Sequence, residues 1–113
     1  MVKRGQILWA ELPEPKQSEP GYKKPVLIVQ ANEFNISKIN TVVVVVITTN
    51  LKLAEAPGNV YLPRNISGLT KDSVINVSQI LTLDKDFLTE GIVTLNNSSM
   101  VQVDEGLQLV LSL

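Results

Sequence analysis

This 113-residue chain contains neither histidine nor cysteine. Without histidine there is no paired-imidazole acid–base chemistry, no Ser-His-Asp triad and no imidazole to ligate a metal. Without cysteine there is no disulfide framework, zinc–thiolate site or thiolate nucleophile, a composition that fits the reducing cytoplasm. Acid–base work falls to carboxylates, lysine, arginine, tyrosine or the substrate itself. Aromatic residues make up only 4% of the chain, so the core is aliphatic. Charge of one sign is lacking too: the net charge is −1 and the isoelectric point about 5.3, which excludes a global basic field for nucleic acid. Such a role needs a local patch, and Lys3, Arg4, Lys16, Lys23 and Lys24 supply one in the first quarter of the chain. The longest apolar run, Val42 to Ile47, falls far short of the roughly 20 residues that span a bilayer. The opening Met-Val-Lys-Arg-Gly lacks the apolar segment of a signal peptide. The chain reads as soluble and cytoplasmic, with no membrane partner.

Hydrophobic residues at 44% and charged residues at 19% are ordinary for a globular protein. The length suits one domain over residues 1–113, burying about 60–70% of its unfolded surface. Residues 6–12 alternate as a strand that Pro13 and Pro15 stop. Residues 13–22 carry three prolines, a glycine and mixed charge, a long loop of the kind that often bears function. Val26 to Gln30 follow as a strand whose continuous apolar run suits burial on both faces. Residues 32–40 read as a helical turn or loop, and Thr41 to Thr49 as the central strand. A turn cluster at Glu55 to Asn59 precedes a short strand, Val60 to Leu62, closed by Pro63. Asp72 to Val77 form another strand, continued or bent from Gln79, and Phe87 and Leu88 begin a helical turn.

Met100, Val103, Leu107, Val110 and Leu111 recur at spacings of three and four, the apolar face of a helix capped by Asn97 or Ser98. Gly106 within it costs about 1 kcal/mol relative to alanine, which close packing on a neighbouring element explains. The chain thus predicts a mainly-β fold: a small, strongly bent sheet or barrel with short helical turns and a C-terminal α-helix.

Ser18 to Gln30 carry the most pointed chemistry. Pro25 fixes its own φ and holds Lys24 extended, so a cation sits at the mouth of a buried strand beside a polar loop. Spacing alone leaves two readings open, a solvated loop or a phosphate contact. Thr48, Thr49 and Asn50 likewise either terminate an apolar run or present hydroxyls to phosphate oxygens. If the two strands pair, the lysines and threonines come together. Ser18 and Glu19 are turn residues, or Glu19 is a general base or an acceptor for an exposed nucleobase edge; Lys71-Asp72-Ser73 opens a strand; Trp9 and Tyr22 are too isolated for a stacking platform. No glycine-rich phosphate loop or metal-binding cluster is present.

In order, Val2-Lys-Arg-Gly-Gln-Ile-Leu-Trp-Ala-Glu-Leu12, Ser18-Glu19, Lys24-Pro25-Val-Leu-Ile-Val-Gln30, Val44-Val-Val-Ile-Thr48, Lys71-Asp-Ser-Val-Ile75 and Gln79-Ile80 with Thr82 and Asp84-Lys85 span the chain ahead of the Met100 to Leu113 helix. Together they resemble the MazF/PemK family of toxin endoribonucleases. The resemblance implies an SH3-like barrel of five to seven strands that works as a homodimer. It also implies cleavage of single-stranded RNA, including mRNA, at a short sequence without metal or other cofactor. Attack by the 2′-hydroxyl gives a 2′,3′-cyclic phosphate and a 5′-hydroxyl. The implied partner is a MazE-like antitoxin whose acidic segment occupies the RNA groove.

Carried over by position, the catalytic residues are Lys24, where the family has arginine, and Thr48. Ser18, Glu19, Lys23, Asn35, Thr49 and Gln79 form the expected substrate-binding set, with no metal ligands. A second family arginine is Leu81 here. Lysine keeps the charge of arginine and loses its planar fork. These two replacements keep open an alternative: a CcdB-like toxin that binds gyrase without catalysis, or a catalytically weakened antitoxin-binding member. RNA cleavage and gyrase supercoiling assays separate the readings.

Overall fold

The computed structural model describes residues 1–12 and 22–113. Six strands form one antiparallel sheet: β1 (Gln6–Leu12), β2 (Tyr22–Ile28), β3 (Thr41–Thr48), β4 (Val60–Leu62), β5 (Ser73–Asp84) and β6 (Leu88–Thr94). The spatial order is β4-β5-β3-β2-β1-β6, and the sheet curls into a half-barrel. Two four-residue helices, α1 (Asn32–Asn35) and α2 (Arg64–Ser67), and the 15-residue α3 (Asn97–Leu111) complete the fold. The mainly-β architecture with short helices and a terminal helix is as expected.

The valine run of β3 is explained by its neighbours. Val45 and Ile47 face one apolar cluster with Ile7, Leu27, Ile75 and Val103, while Val42 and Val44 face a second with Leu8, Ala10, Val26 and Ile28. A strand buried on both faces has no polar alternation to show. β5 stays one strand by carrying extra residues: Val45 pairs with Ile80 whereas Val46 pairs with Asn76. Such a bulge bends the strand and increases its twist, which helps curl the sheet.

Three expectations are corrected. β2 begins at Tyr22, so Lys23, Lys24 and Pro25 lie within the strand rather than ahead of it. β6 replaces the helical turn expected from Leu88; the 3-10 turn covers only Lys85–Phe87. The N-cap of α3 is Asn96, whose side chain accepts the Ser99 N–H at 2.8 Å. The apolar face of α3 also divides: Val103 is buried, Met100 and Leu107 pack against the core, and Val110 and Leu111 are exposed.

Candidate active site

β3 runs antiparallel to both β2 and β5, so the start of β2, the end of β3 and the start of β5 share one end of the sheet. The register pairs Val26 with Val46 and Thr48 with Val74. Continuing it sets Lys24 opposite Thr48, and the next row reads Lys23–Thr49–Ser73. One row below lie Trp9, Pro25, Ile47 and Ile75. Opposed residues share a face and successive ones alternate. Lys24 and Thr48 therefore occupy the face of Val26 and Val44, whereas Lys23 and Thr49 occupy the face of Leu27 and Val45.

Pro25 parts the strands. The Val29 N–H donates to the Val43 carbonyl at 3.1 Å, so odd-numbered residues of β2 direct their backbone groups at β3. Pro25 is the next but one in that series and has no N–H to offer Ile47. The β2–β3 pairing stops at Val26, while β1–β2 pairing continues to Tyr22. A cavity of about 230 Å³ opens at this point, lined by Trp9, Lys23, Lys24, Pro25, Ile47, Thr49, Leu69, Thr70, Lys71 and Ser73. Lys24 thus borders the cavity and also shares the Thr48 face. The lining contains three lysines and, among the described residues, no carboxylate. The one ion pair among the described residues, Arg4–Asp104 at 2.7 Å, involves none of these lysines.

The expected residues divide accordingly. Lys23 and Thr49 meet on the cavity rim. The half-buried Thr48 accepts the Asn50 N–H on its hydroxyl oxygen at 3.2 Å, which orients that hydroxyl at the strand end. Gln79 is exposed in the β5 bulge, where its side-chain carbonyl accepts from the Asn76 amide at 3.4 Å. Ser18 and Glu19, with Lys16, lie outside the described residues.

Asn35 does not join the group. It is 2% exposed beyond the far end of β2, and its amide donates to the Gln30 carbonyl at 3.1 Å and to Asn32 Oδ1 at 3.0 Å. Its carbonyl accepts from Gln30 at 2.8 Å, so its polar atoms serve the fold. Arg4 likewise leaves the basic patch: its guanidinium donates to the Val29 carbonyl at 2.9 Å and to Asp104. Leu81, where the resembling family carries arginine, packs against the Val26 cluster.

Thr70 lines the cavity with no role expected from the sequence, while Lys71 and Ser73, expected only to open a strand, and Trp9, expected to be too isolated to stack a base, line it as well. The β3–β5 register brings Lys71 and Ser73 here, and the β1–β2 register sets Trp9 opposite Pro25. Among the described residues no group of three or more histidine, cysteine, aspartate or glutamate side chains is arranged to hold a metal ion. No helix among them is long and apolar enough to cross a membrane.

Comparison with known proteins bears on this geometry. Residues 3–111 match the family model described as PemK-like, MazF-like toxin of type II toxin–antitoxin system. The chain is 43% identical over 113 residues to the endoribonuclease MazF6 of Mycobacterium tuberculosis, covering 100% of this chain and 99% of that protein. It is 38% identical over 113 residues to the endoribonuclease EndoA of Bacillus subtilis, covering 97% of it. Among solved structures it resembles a mycobacterial endoribonuclease in complex with its cognate antitoxin. There the TM-score is 0.81 and the identity 27%, over 100% of this chain and 97% of that one.

Proposed function

The chain belongs to the PemK-like, MazF-like toxins of type II toxin–antitoxin systems, and from that premise we propose that it is an endoribonuclease cleaving single-stranded RNA through Lys24 and Thr48. The reading rests on the β2–β3 register, which, continued past the Val26–Val46 pair, sets Lys24 opposite Thr48 where Pro25 ends the pairing. In the reaction the 2′-hydroxyl attacks the adjacent phosphorus, a P–O2′ bond forms and the P–O5′ bond breaks. The 2′-proton leaves to a carboxylate, Glu19 in this reading. The Lys24 ammonium stabilises the charge developing on the phosphoryl oxygens and gives a proton to the departing 5′-oxygen. Thr48 donates its hydroxyl to a phosphoryl oxygen while its own oxygen is held by the Asn50 N–H. The products are a 2′,3′-cyclic phosphate and a 5′-hydroxyl, and no step requires a metal.

The partners take two separate surfaces in this reading. A MazE-like antitoxin with an acidic segment complements the lysines around the cavity, as the antitoxin complex of the similar mycobacterial enzyme supports. A homodimer covers the apolar groove formed by Val29, Ala31, Phe34, Val43, Ile80, Leu107 and Leu111. The toxin acts in the cytoplasm, where its mRNA substrate is translated.

The test incubates purified protein with a long single-stranded RNA in EDTA and maps the ends. Cyclic phosphate termini are expected, with Lys24→Ala lowering kcat about 10²- to 10³-fold. Lys24→Arg is expected to raise it, because the fork grips two phosphate oxygens. Undiminished cleavage by Lys24→Ala sinks the assignment, and loss of cleavage on adding EDTA sinks the metal-free mechanism.

A further inference from the structure

The cavity beside the Lys24–Thr48 pair carries chemistry that bond cleavage leaves unused. Its lining combines the apolar Trp9, Pro25, Ile47 and Leu69 with the polar Lys23, Thr49, Thr70 and Lys71. Aromatic and aliphatic lining groups suit the face of a base. Hydroxyls and ammonium groups suit a phosphate. At about 230 Å³ the cavity lies below the range of about 300–1,000 Å³ that holds drug-sized ligands, so it has room for one base with its sugar and phosphate left at the opening. The chain has ten Lys and Arg residues against eleven Asp and Glu. Three of the ten line this one cavity, and no acid does among the described residues.

Lys71 stands on the wall formed by the turn into β5, across the end of β3 from Lys23. Its backbone is fixed from the next residues along. The Ser73 hydroxyl donates to the Lys71 carbonyl at 3.1 Å. Asp72, the acid nearest in sequence, accepts the Tyr61 hydroxyl at 2.8 Å and the Arg64 N–H at 2.9 Å, one on each carboxylate oxygen. That carboxylate is engaged with the β4 side of the turn, and no ion pair with Lys71 forms among the described residues.

We propose that this cavity is a one-nucleotide subsite flanking the scissile bond, in which Lys71 contacts a backbone phosphate of the RNA and Trp9 underlies a base. The proposal rests on the endoribonuclease reading for its ligand. Lys71 is a substrate-binding residue here and takes no part in bond making. The division of the site across two faces follows: Lys24 and Thr48 act on the scissile phosphate, while the cavity face grips the neighbouring unit and sets its register.

The test uses full-length protein and a mixed-sequence single-stranded 2′-O-methyl RNA, whose blocked 2′-oxygen cannot attack. Trp9 is the only tryptophan, so its emission reports occupancy of the cavity. Wild-type protein is expected to bind with a change in emission. Lys71→Ala is expected to bind about tenfold more weakly. It is also expected to lower the slope of log affinity against log salt by about 0.7, the share of one phosphate contact on a single strand. Lys71→Arg restores the slope, and Lys38→Ala, exposed beyond α1, leaves it unchanged. On cleavable RNA, Lys71→Ala raises KM and keeps kcat within about twofold.

A wild-type slope and emission change in Lys71→Ala overturn the proposal, as does an equal loss of slope in Lys38→Ala or a silent Trp9 in the wild type. Lys71-dependent binding without any RNA cleavage supports the subsite and overturns the catalytic reading. Cleavage that is indifferent to Lys71→Ala does the reverse.

Discussion

Gly106 of α3 lies so close to Gly58, in the turn before β4, that a Cβ built on Gly106 overlaps the Gly58 carbonyl oxygen. The approach is mutual, since a Cβ on Gly58 stands 3.0 Å from Gly106 Cα, and Gly58 itself has a φ of +81°. Two backbones touch here with no side chain between them, and the adjacent Val103 is buried in the core cluster. Gly106→Ala gains about 1 kcal/mol of helix propensity. It must also displace backbone, and overpacking of this kind costs about 1–3 kcal/mol or more. Because the clash is with backbone, which cannot swing aside, the upper end of that cost applies and the expected result is a net loss of about 2 kcal/mol in urea unfolding. Gly91→Ala, with nothing within 4 Å of its Cβ, is the control and is expected to be near neutral. A Gly106→Ala protein as stable as wild type contradicts the contact.

The Tyr61–Asp72 hydrogen bond gives the turn beside Lys71 a pH dependence of known sign. The Arg64 backbone N–H, and after it the Tyr61 hydroxyl, hold the Asp72 carboxyl below the usual carboxylate range, with desolvation opposing them. The same hydrogen bond is the largest cause that raises Tyr61, followed by desolvation and the Asp72 charge. Because the folded Asp72 pKa lies below the unfolded value of about 3.9, its stabilisation is complete above that value. It is lost as pH falls through the folded pKa. The Tyr61 contribution is present below its unfolded value of about 10 and fades as pH rises through the folded one. Tyr61→Phe is expected to move the Asp72 midpoint upward without returning it fully, since the Arg64 N–H remains. Carboxyl carbon NMR across the acid range measures this, and an unmoved midpoint refutes the role of the hydroxyl.

Much of the fold was legible because periodicity reports burial. The alternation of residues 6–12, the β-branched run of β3 and the three-and-four spacing of α3 each state which faces are covered. β6 was not legible: most of its residues are exposed or half-buried, and it pairs only with β1 along a shifted register. An edge strand with little to bury leaves little apolar pattern. The start of β2 was misplaced because Pro25 reads as a strand boundary, yet proline forbids only the bond to β3 and leaves the pairing to β1 intact.

The site was legible in half. Lys23, Lys24, Thr48 and Thr49 stand out at strand ends, and the antiparallel register, continued beyond its last pair, sets them in adjacent rows. Which of them share a face is a matter of register, and register also delivers Lys71 and Ser73 from 22 or more positions further along. Asn35, expected in the substrate-binding set from the resemblance alone, lies apart from the cavity and closes a buried amide network.

Pro25 is the residue on which both faces of the site depend, and its replacement separates geometry from charge. Pro25→Ala restores an N–H aimed at the Ile47 carbonyl, in the series that Val29 begins with Val43. The β2–β3 ladder is then free to extend to the row of Lys24 and Thr48, closing the gap over Pro25 and Ile47 that the cavity occupies. A new hydrogen bond contributes about 0.5–1.5 kcal/mol, and the more flexible unfolded chain takes back about 0.4–1 kcal/mol. Stability is therefore expected to stay within about 1 kcal/mol of wild type. Cleavage is not: both strand ends shift, and displacements of this size cost up to about 10²-fold. Amide exchange supplies the independent readout, because residue 25 gains a proton that should exchange as slowly as those of the β2–β3 ladder. If that proton exchanges at the rate of an open loop while cleavage is unchanged, some other feature parts the strands.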